Sequence, residues 1–140
     1  MDLSRYDTAD LMNAGTFMHL ESPDGRKLLT EAGELIGITL LGVDSQKLRA
    51  LSHKQQNDRL MNMKVRRGGR LTGLTAETAE QDALDFICAA VVSFKNIIVD
   101  DVAREPSYAS TLFTRFPWIR DQAQAWVSDT ENYLGEVARS

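Results

Sequence analysis

With 140 residues, 43% hydrophobic and 26% charged, the chain has the composition of one ordinary globular domain that buries a core without disulfides or metals. Its formal charge of −4 argues against a dedicated nucleic-acid binder, which carries a basic excess. A lone Cys88 excludes an internal disulfide, the start Met1-Asp2-Leu3-Ser4-Arg5-Tyr6-Asp7 lacks a signal-peptide core, and no apolar run approaches the roughly 20 residues of a membrane span, so a soluble cytosolic protein is expected.

Residues 1–43 read as the β-rich part. A short helix over Thr8 to Asn13 precedes Thr16-Phe17-Met18-His19-Leu20-Glu21, which has strand composition. Ser22-Pro23-Asp24-Gly25 then supplies a proline with fixed φ and a closing glycine, a β-turn signal that returns Arg26 to Thr30 antiparallel. Leu35 to Gly42 reads as a third, more buried strand, with Gly37 and Gly42 weakening or bending it.

Residues 44–138 read as helical. Asp44 or Ser45 caps a helix from Gln46, because each offers a side-chain oxygen to the free N–H groups of the first turn. Its stretch Ser52 to Arg59 is polar on every side and is expected to project, touch a partner or fray. Met61, Met63 and Val65 restore an apolar grip before Gly68-Gly69 stops the helix. Thr75 caps a central helix in which Ala83, Phe86, Ile87, Ala90, Val91, Phe94, Ile97 and Ile98 recur at helical spacing. Phe86, Ile87, Val91 and Phe94 are the expected core. Asp100-Asp101 and Arg104-Glu105-Pro106 form a connector, Ser107 caps a short helix carrying Leu112 and Phe113, and Pro117 opens the last helix at its first position. The inward stripe of that helix is Ile119, Ala123, Trp126, Val127, Tyr133 and Leu134.

Catalytic patterns are missing. Only His19 and His53 could serve as imidazole bases, and nothing in the spacing pairs either with Cys88 or with a serine elbow. A cysteine midway along an apolar helix face reads as a small core residue. There is no CxxC, HxxxH, EF-hand or phosphate-loop pattern, so no metal, no cofactor and no enzyme activity is expected. Two features point to binding instead. Residues 54–70 hold Lys54, Arg59, Lys64, Arg66, Arg67 and Arg70 against Asp58 alone, a local +5 that leaves −9 on the rest of the chain. This window is either a solvated loop or a contact for an acidic protein surface, including that of a second subunit. Both tryptophans fall in the last helix. They either close over the core or leave a ring for an interface, Trp126 being the inward one and Trp118 the contact residue.

Beyond these readings, the stretch from about Ala83 to Leu134 resembles the tail assembly chaperones of long-tailed phages with non-contractile tails and of related prophages. The resemblance is carried by an apolar helix, an acidic connector with Glu105-Pro106-Ser107, a short helix, then Phe116-Pro117-Trp118-Ile119-Arg120-Asp121-Gln122 and a closing Asn132-Tyr133-Leu134. It implies a small, largely helical protein of the host cytoplasm, absent from the finished virion. Such a protein binds the tape measure protein, keeps it soluble and helps bring tail tube subunits to it. The family also tends to self-associate into open arrays and is often made in two lengths by a ribosomal frameshift.

The fold expectation is therefore α+β: a single domain with an N-terminal antiparallel hairpin or small sheet on a bundle of about four helices. The function expectation is a non-enzymatic tail assembly chaperone, with Lys64, Arg66, Arg67, Arg70 and Trp118 as its partner or self-association residues. The alternatives are a small nucleic-acid-associated regulator using residues 54–70 and a structural tail connector retained in the particle.

Overall fold

In the computed structural model, which describes residues 3–65 and 76–134, helices pack around a three-stranded antiparallel sheet, so the fold is α+β. After a 3-10 turn at Leu3–Tyr6 comes α1 (Ala9–Ala14). Gly15 ends it at φ 92°, a conformation that suits glycine, and sends the chain into β1 (Thr16–His19). β1 pairs antiparallel with β2 (Gly37–Leu40).

Between them residues 20–36 make a twisted excursion with two turns. The Ser22 to Gly25 turn forms as expected: the Gly25 N–H donates to the Ser22 carbonyl at 2.8 Å, and Gly25 takes φ 88°. A second turn of the same design follows at Thr30 to Gly33. The return strand expected over Arg26 to Thr30 is reduced to isolated bridges, Glu21 to Lys27 and Leu29 to Leu35. Gly37 is no weak point in β2. The Met18 carbonyl and the Phe17 ring occupy the space that a Cβ there would need, so the absent side chain permits close strand packing.

Ser45 caps α2 (Gln46–Val65): it is buried, and its Oγ accepts the Leu48 N–H at 3.3 Å. Asn13 Oδ1 accepts the Gln46 N–H at 2.8 Å and so ties α1 to the same helix start. The polar stretch Ser52 to Arg59 neither frays nor stands free. Arg59 grips Asp82 Oδ2 with Nε and Nη2 at 3.2 and 2.9 Å, and the Gln55 amide donates to the Asp82 carbonyl at 2.9 Å. These bonds fasten α2 to α3 (Ala76–Ala90). The expected glycine stop at Gly68-Gly69 and the Thr75 cap lie outside the described residues.

The central helix departs most from expectation. It stops at Ala90, and Val91–Lys95 is instead β3, the third strand, paired antiparallel with β2. Ile87 and Val91 are buried, whereas Phe86 and Phe94 are half-buried and Ala83, Val92 and Ile98 are exposed. Helical spacing is a coincidence here: Val91 and Val92 are β-branched and pack well on a pleated strand. A register shift at Leu40 places one extra residue on β3, a bulge where the helix feeds into the sheet. Asn96, at φ 59°, turns the chain out of β3, a left-handed conformation that asparagine tolerates.

The Asp100-Asp101 connector is a tight hairpin tip between β4 (Ile98–Val99) and β5 (Val102–Ala103), both aspartates having positive φ. A 3-10 turn at Pro106–Tyr108 leads into α4 (Ala109–Arg115), so Ser107 lies inside that turn and does not cap the helix. Pro117 opens α5 (Pro117–Ser128) as expected, and a last 3-10 turn spans Thr130–Tyr133. The core lies between the sheet and the helices, with Ile38, Leu40, Leu48, Ile87, Leu112, Phe113, Ala123 and Val127 fully enclosed.

Candidate functional site

Helix α5 is fastened to the sheet by the residues that stand out in its sequence. Gln122 lays its carboxamide along the backbone of Glu21: Nε2 donates to the Glu21 carbonyl at 2.6 Å, and Oε1 accepts the Glu21 N–H at 3.0 Å. One amide side chain thus satisfies an edge residue of the sheet extension as a neighbouring strand would. Asn132 donates from Nδ2 to the Trp126 carbonyl at 3.1 Å, closing the end of α5. Tyr133 is fully buried and directs its hydroxyl at the carbonyls of Leu40 and Leu41, 3.2 and 3.0 Å away, where β2 ends. Burial pushes the Tyr133 phenol up to about 12. Trp126 donates its indole N–H to Thr16 Oγ1 at 3.0 Å.

On another side of the same helix an apolar groove opens. The β4–β5 hairpin, the 28–36 ribbon and the α4–α5 junction enclose about 460 Å³, within the usual range of ligand and side-chain pockets. Leu112 and Ile119 form part of the floor, Ile97 and Val99 one wall, and Leu28 and Ile36 another. Phe116 and Trp118 meet edge to face with ring centroids 6.2 Å apart and close one end. At the mouth Leu29 is 52% and Ile98 63% exposed, a costly placement unless something covers them. Trp118 is half-buried in this wall, and its indole N–H has no acceptor among the described residues.

The hairpin wall is braced from below. Arg115 forks onto Asp100 with Nη1 and Nη2 at 2.6 and 3.0 Å, and this bond holds the Asp100 carboxyl below the usual carboxylate range. Arg104 donates to the Val99 carbonyl through Nε and Nη2 while its own backbone N–H meets the Ile97 carbonyl. Its guanidinium lies 4.3 Å from the Tyr108 ring centroid.

Of the expected partner or self-association residues, Trp118 lines this groove. Lys64 lies in the last turn of α2, and Arg66, Arg67 and Arg70 lie outside the described residues. Leu29 and Ile36 are groove residues that the sequence alone does not mark, and Ile98 is one that helical spacing assigned to the central helix instead. Their signal would have been the turn at Thr30 to Gly33 and the Asp100-Asp101 tip, which together exclude a long helix and bring two apolar ribbons side by side.

Two other reactive side chains, Cys88 and His19, are suppressed or occupied. Burial, with Asp85 nearby, pushes the Cys88 thiol up to about 11, away from nucleophilic thiolate. His19 Nε2 bonds the Leu28 carbonyl at 2.8 Å, and His53 sits exposed on α2. Among the described residues no three His, Cys, Asp or Glu side chains gather where a metal ion could sit, and no helix is long and apolar enough to cross a membrane. Compared with known proteins, the chain matches no family model, no curated protein and no solved structure.

Proposed function

We propose that this protein is a non-enzymatic assembly chaperone of long, non-contractile phage tails, which binds the tape measure protein and helps recruit tail tube subunits. The observation that carries the binding role is the open apolar groove, with Leu29 and Ile98 exposed at its mouth and Trp118 in its wall. A chaperone for a long, helix-rich partner needs a place to shelter apolar side chains transiently, and such a groove is one. The partner itself is named by the resemblance of the Ala83 to Leu134 stretch. The basic window around Lys64, Arg66, Arg67 and Arg70 adds a separate electrostatic contact, for a partner or for a second subunit.

Co-expression with the tape measure protein tests this reading. The unmodified chain should keep that partner soluble and co-purify with it. Trp118→Ala and Ile98→Asp should weaken retention, Trp118→Ala by about 2 kcal/mol or more, the loss typical of a central aromatic anchor. Ile98 is solvent-exposed, so its variant should still melt near the parent temperature. Retention untouched by both variants removes the groove from recognition. Glutamate at Arg66, Arg67 and Arg70 should weaken association in a salt-dependent way. Loss of duplex-DNA binding in that triple variant would favour the nucleic-acid regulator, and recovery of the protein from purified particles would favour a connector.

A further inference from the structure

The first strand of the sheet has one side without a neighbouring strand. Among the described residues β1 pairs with β2 alone, because the strand order runs β1-β2-β3. The Leu20 N–H donates to the Ile36 carbonyl at 3.0 Å, in register with the Met18 to Ile38 and Thr16 to Leu40 pairs. Bonded pairs alternate along an antiparallel ladder, so Thr16, Met18 and Leu20 turn their backbone groups towards β2. Phe17, His19 and Glu21 then turn theirs the other way. Glu21 confirms the phase, since its N–H and carbonyl both meet the Gln122 carboxamide, at 3.0 and 2.6 Å. The N–H and carbonyl groups of Phe17 and His19 have no partner among the described residues.

The space beside this edge is open. Met18, His19 and Glu21 on one side and Ala125, Trp126 and Asp129 on the other bound a groove of about 310 Å³. Helix α5 runs antiparallel to β1 here, with Gln122 reaching Glu21 at one end and Trp126 reaching Thr16 Oγ1 at the other. Backbone donors and acceptors alternating along an edge are complementary to one kind of occupant, an extended chain with its own N–H and carbonyl groups to offer. A helix has already spent its backbone groups on itself. Gln122 meets the edge with a side chain at one residue only, and its carboxamide sits where the peptide group of a neighbouring strand would sit. A side chain can rotate away and leave that place to a strand.

We propose that the free edge of β1 takes up an extended segment of a partner protein by strand addition, and that the Gln122 carboxamide is the placeholder which that segment displaces. The peptide groups of the segment pair with Phe17 and His19 and, once Gln122 turns aside, with Glu21. Recognition runs through the backbone, with α5 as the opposite wall. This surface is separate from the apolar groove, and its test does not involve the tape measure protein.

Amide hydrogen exchange of the full-length protein, followed residue by residue, tests this with a capped peptide of alternating valine and threonine flanked by lysines. In the free protein the Met18 and Leu20 amides should exchange roughly tenfold or more slowly than those of Phe17 and His19. The peptide should slow Phe17 and His19 towards the rate of Met18, and an analogue N-methylated at every residue should not bind. Gln122→Ala should bind the peptide roughly threefold to tenfold more tightly, the gain from a pair of hydrogen bonds that no longer has to be displaced. A residue that only fastened α5 would leave that affinity unchanged or lower it. Ala125→Arg, at an exposed position on the helix wall, should fill the groove and lose the peptide while melting near the parent temperature. No binding, binding that leaves Phe17 and His19 exchange unaltered, equal binding of the N-methylated analogue, or no gain from Gln122→Ala would each overturn the proposal. Phe17 and His19 amides already protected in the free protein would overturn it too. Protection lost on dilution would give the edge to a second copy of the chain, and protection independent of concentration would mean that the chain covers its own edge.

Discussion

Tyr133→Phe should be among the most informative single substitutions in this chain. It keeps the buried ring and removes only the hydroxyl aimed at the Leu40 and Leu41 carbonyls, at 3.2 and 3.0 Å. Those carbonyls stand where β2 gives way to the chain leading into α2, and the phenol ring fills the space beside them with no exposed surface. Losing one buried partner strands its acceptors, which costs about 1–3 kcal/mol. For a chain of this length that corresponds to a fall in Tm of roughly 3–12 °C. Tyr133→Ala adds a cavity and should cost about 3–5 kcal/mol, as truncations of buried aromatics do. The alkaline limb gives a second reading. An unfolded tyrosine ionises near its ordinary value of about 10, whereas burial holds Tyr133 up to about 12. A folded-state value raised above the unfolded one means that the full contribution is present below about pH 10. It is then lost as pH climbs towards 12, because the unfolded chain releases the proton first. Urea melts of parent and Tyr133→Phe between neutral and alkaline pH should therefore converge as pH rises. A Phe variant with a neutral-pH Tm within about 1 °C of the parent would show that the two hydrogen bonds do not bear on stability.

The other substitutions divide core from edge. Ile87→Ala should cost about 2–5 kcal/mol, because Ile87 is 1% exposed at the centre of the core, while Phe94→Ala on the half-buried edge strand should cost less. The opposite order in chemical denaturation would restore a continuous central helix over residues 76–98. Gln122→Ala releases the Glu21 N–H and carbonyl from their side-chain partner and should cost about 0.5–1.5 kcal/mol. It should also speed hydrogen exchange at the Glu21 amide, and unchanged exchange there would mean that the edge is protected by something else.

Local chemistry is what makes part of this fold legible in the sequence. Ser22-Pro23-Asp24-Gly25 has one favoured turn, Ser45 has one favoured use before an apolar position three residues on, and Pro117 is tolerated in a helix only near its start. Apolar spacing is weaker evidence, and it fails where the run is short. Residues 90–98 satisfy helical spacing, yet Val91 and Val92 prefer a strand, and Asn96 and Asp100-Asp101 bound them as turn formers. Weighing those turn residues against the spacing would have ended the helix near Ala90. The ties between α2 and α3 are hidden for a different reason. Asp82 meets Arg59 and Gln55 across more than 20 positions of sequence, and pairing of that range leaves no local pattern. The groove is hidden likewise, because its walls come from three separated stretches that only the folded chain brings together.

The placement of the motif residues bears on what the resemblance can carry. Pro117 starts α5, Gln122 fastens it to the sheet extension, Asn132 closes its end, and Tyr133 anchors the chain beneath β2. Each of these makes its principal contact within the molecule. A chain keeping them keeps a helix docked on a sheet, and that requirement holds whatever partner is bound. On the function proposed above, partner choice would fall instead to the residues at the groove, Leu29, Glu31, Ile98 and Trp118, none of which holds α5 in place by a side-chain hydrogen bond. Substitutions in the first group should act on partner binding only through unfolding, whereas those in the second should change binding at nearly constant Tm. Melts run beside retention assays for Gln122→Ala and Ile98→Asp separate the two groups. If Gln122→Ala lost the partner while melting at the parent temperature, α5 would be a recognition element in its own right, and the groove would cease to be the principal site.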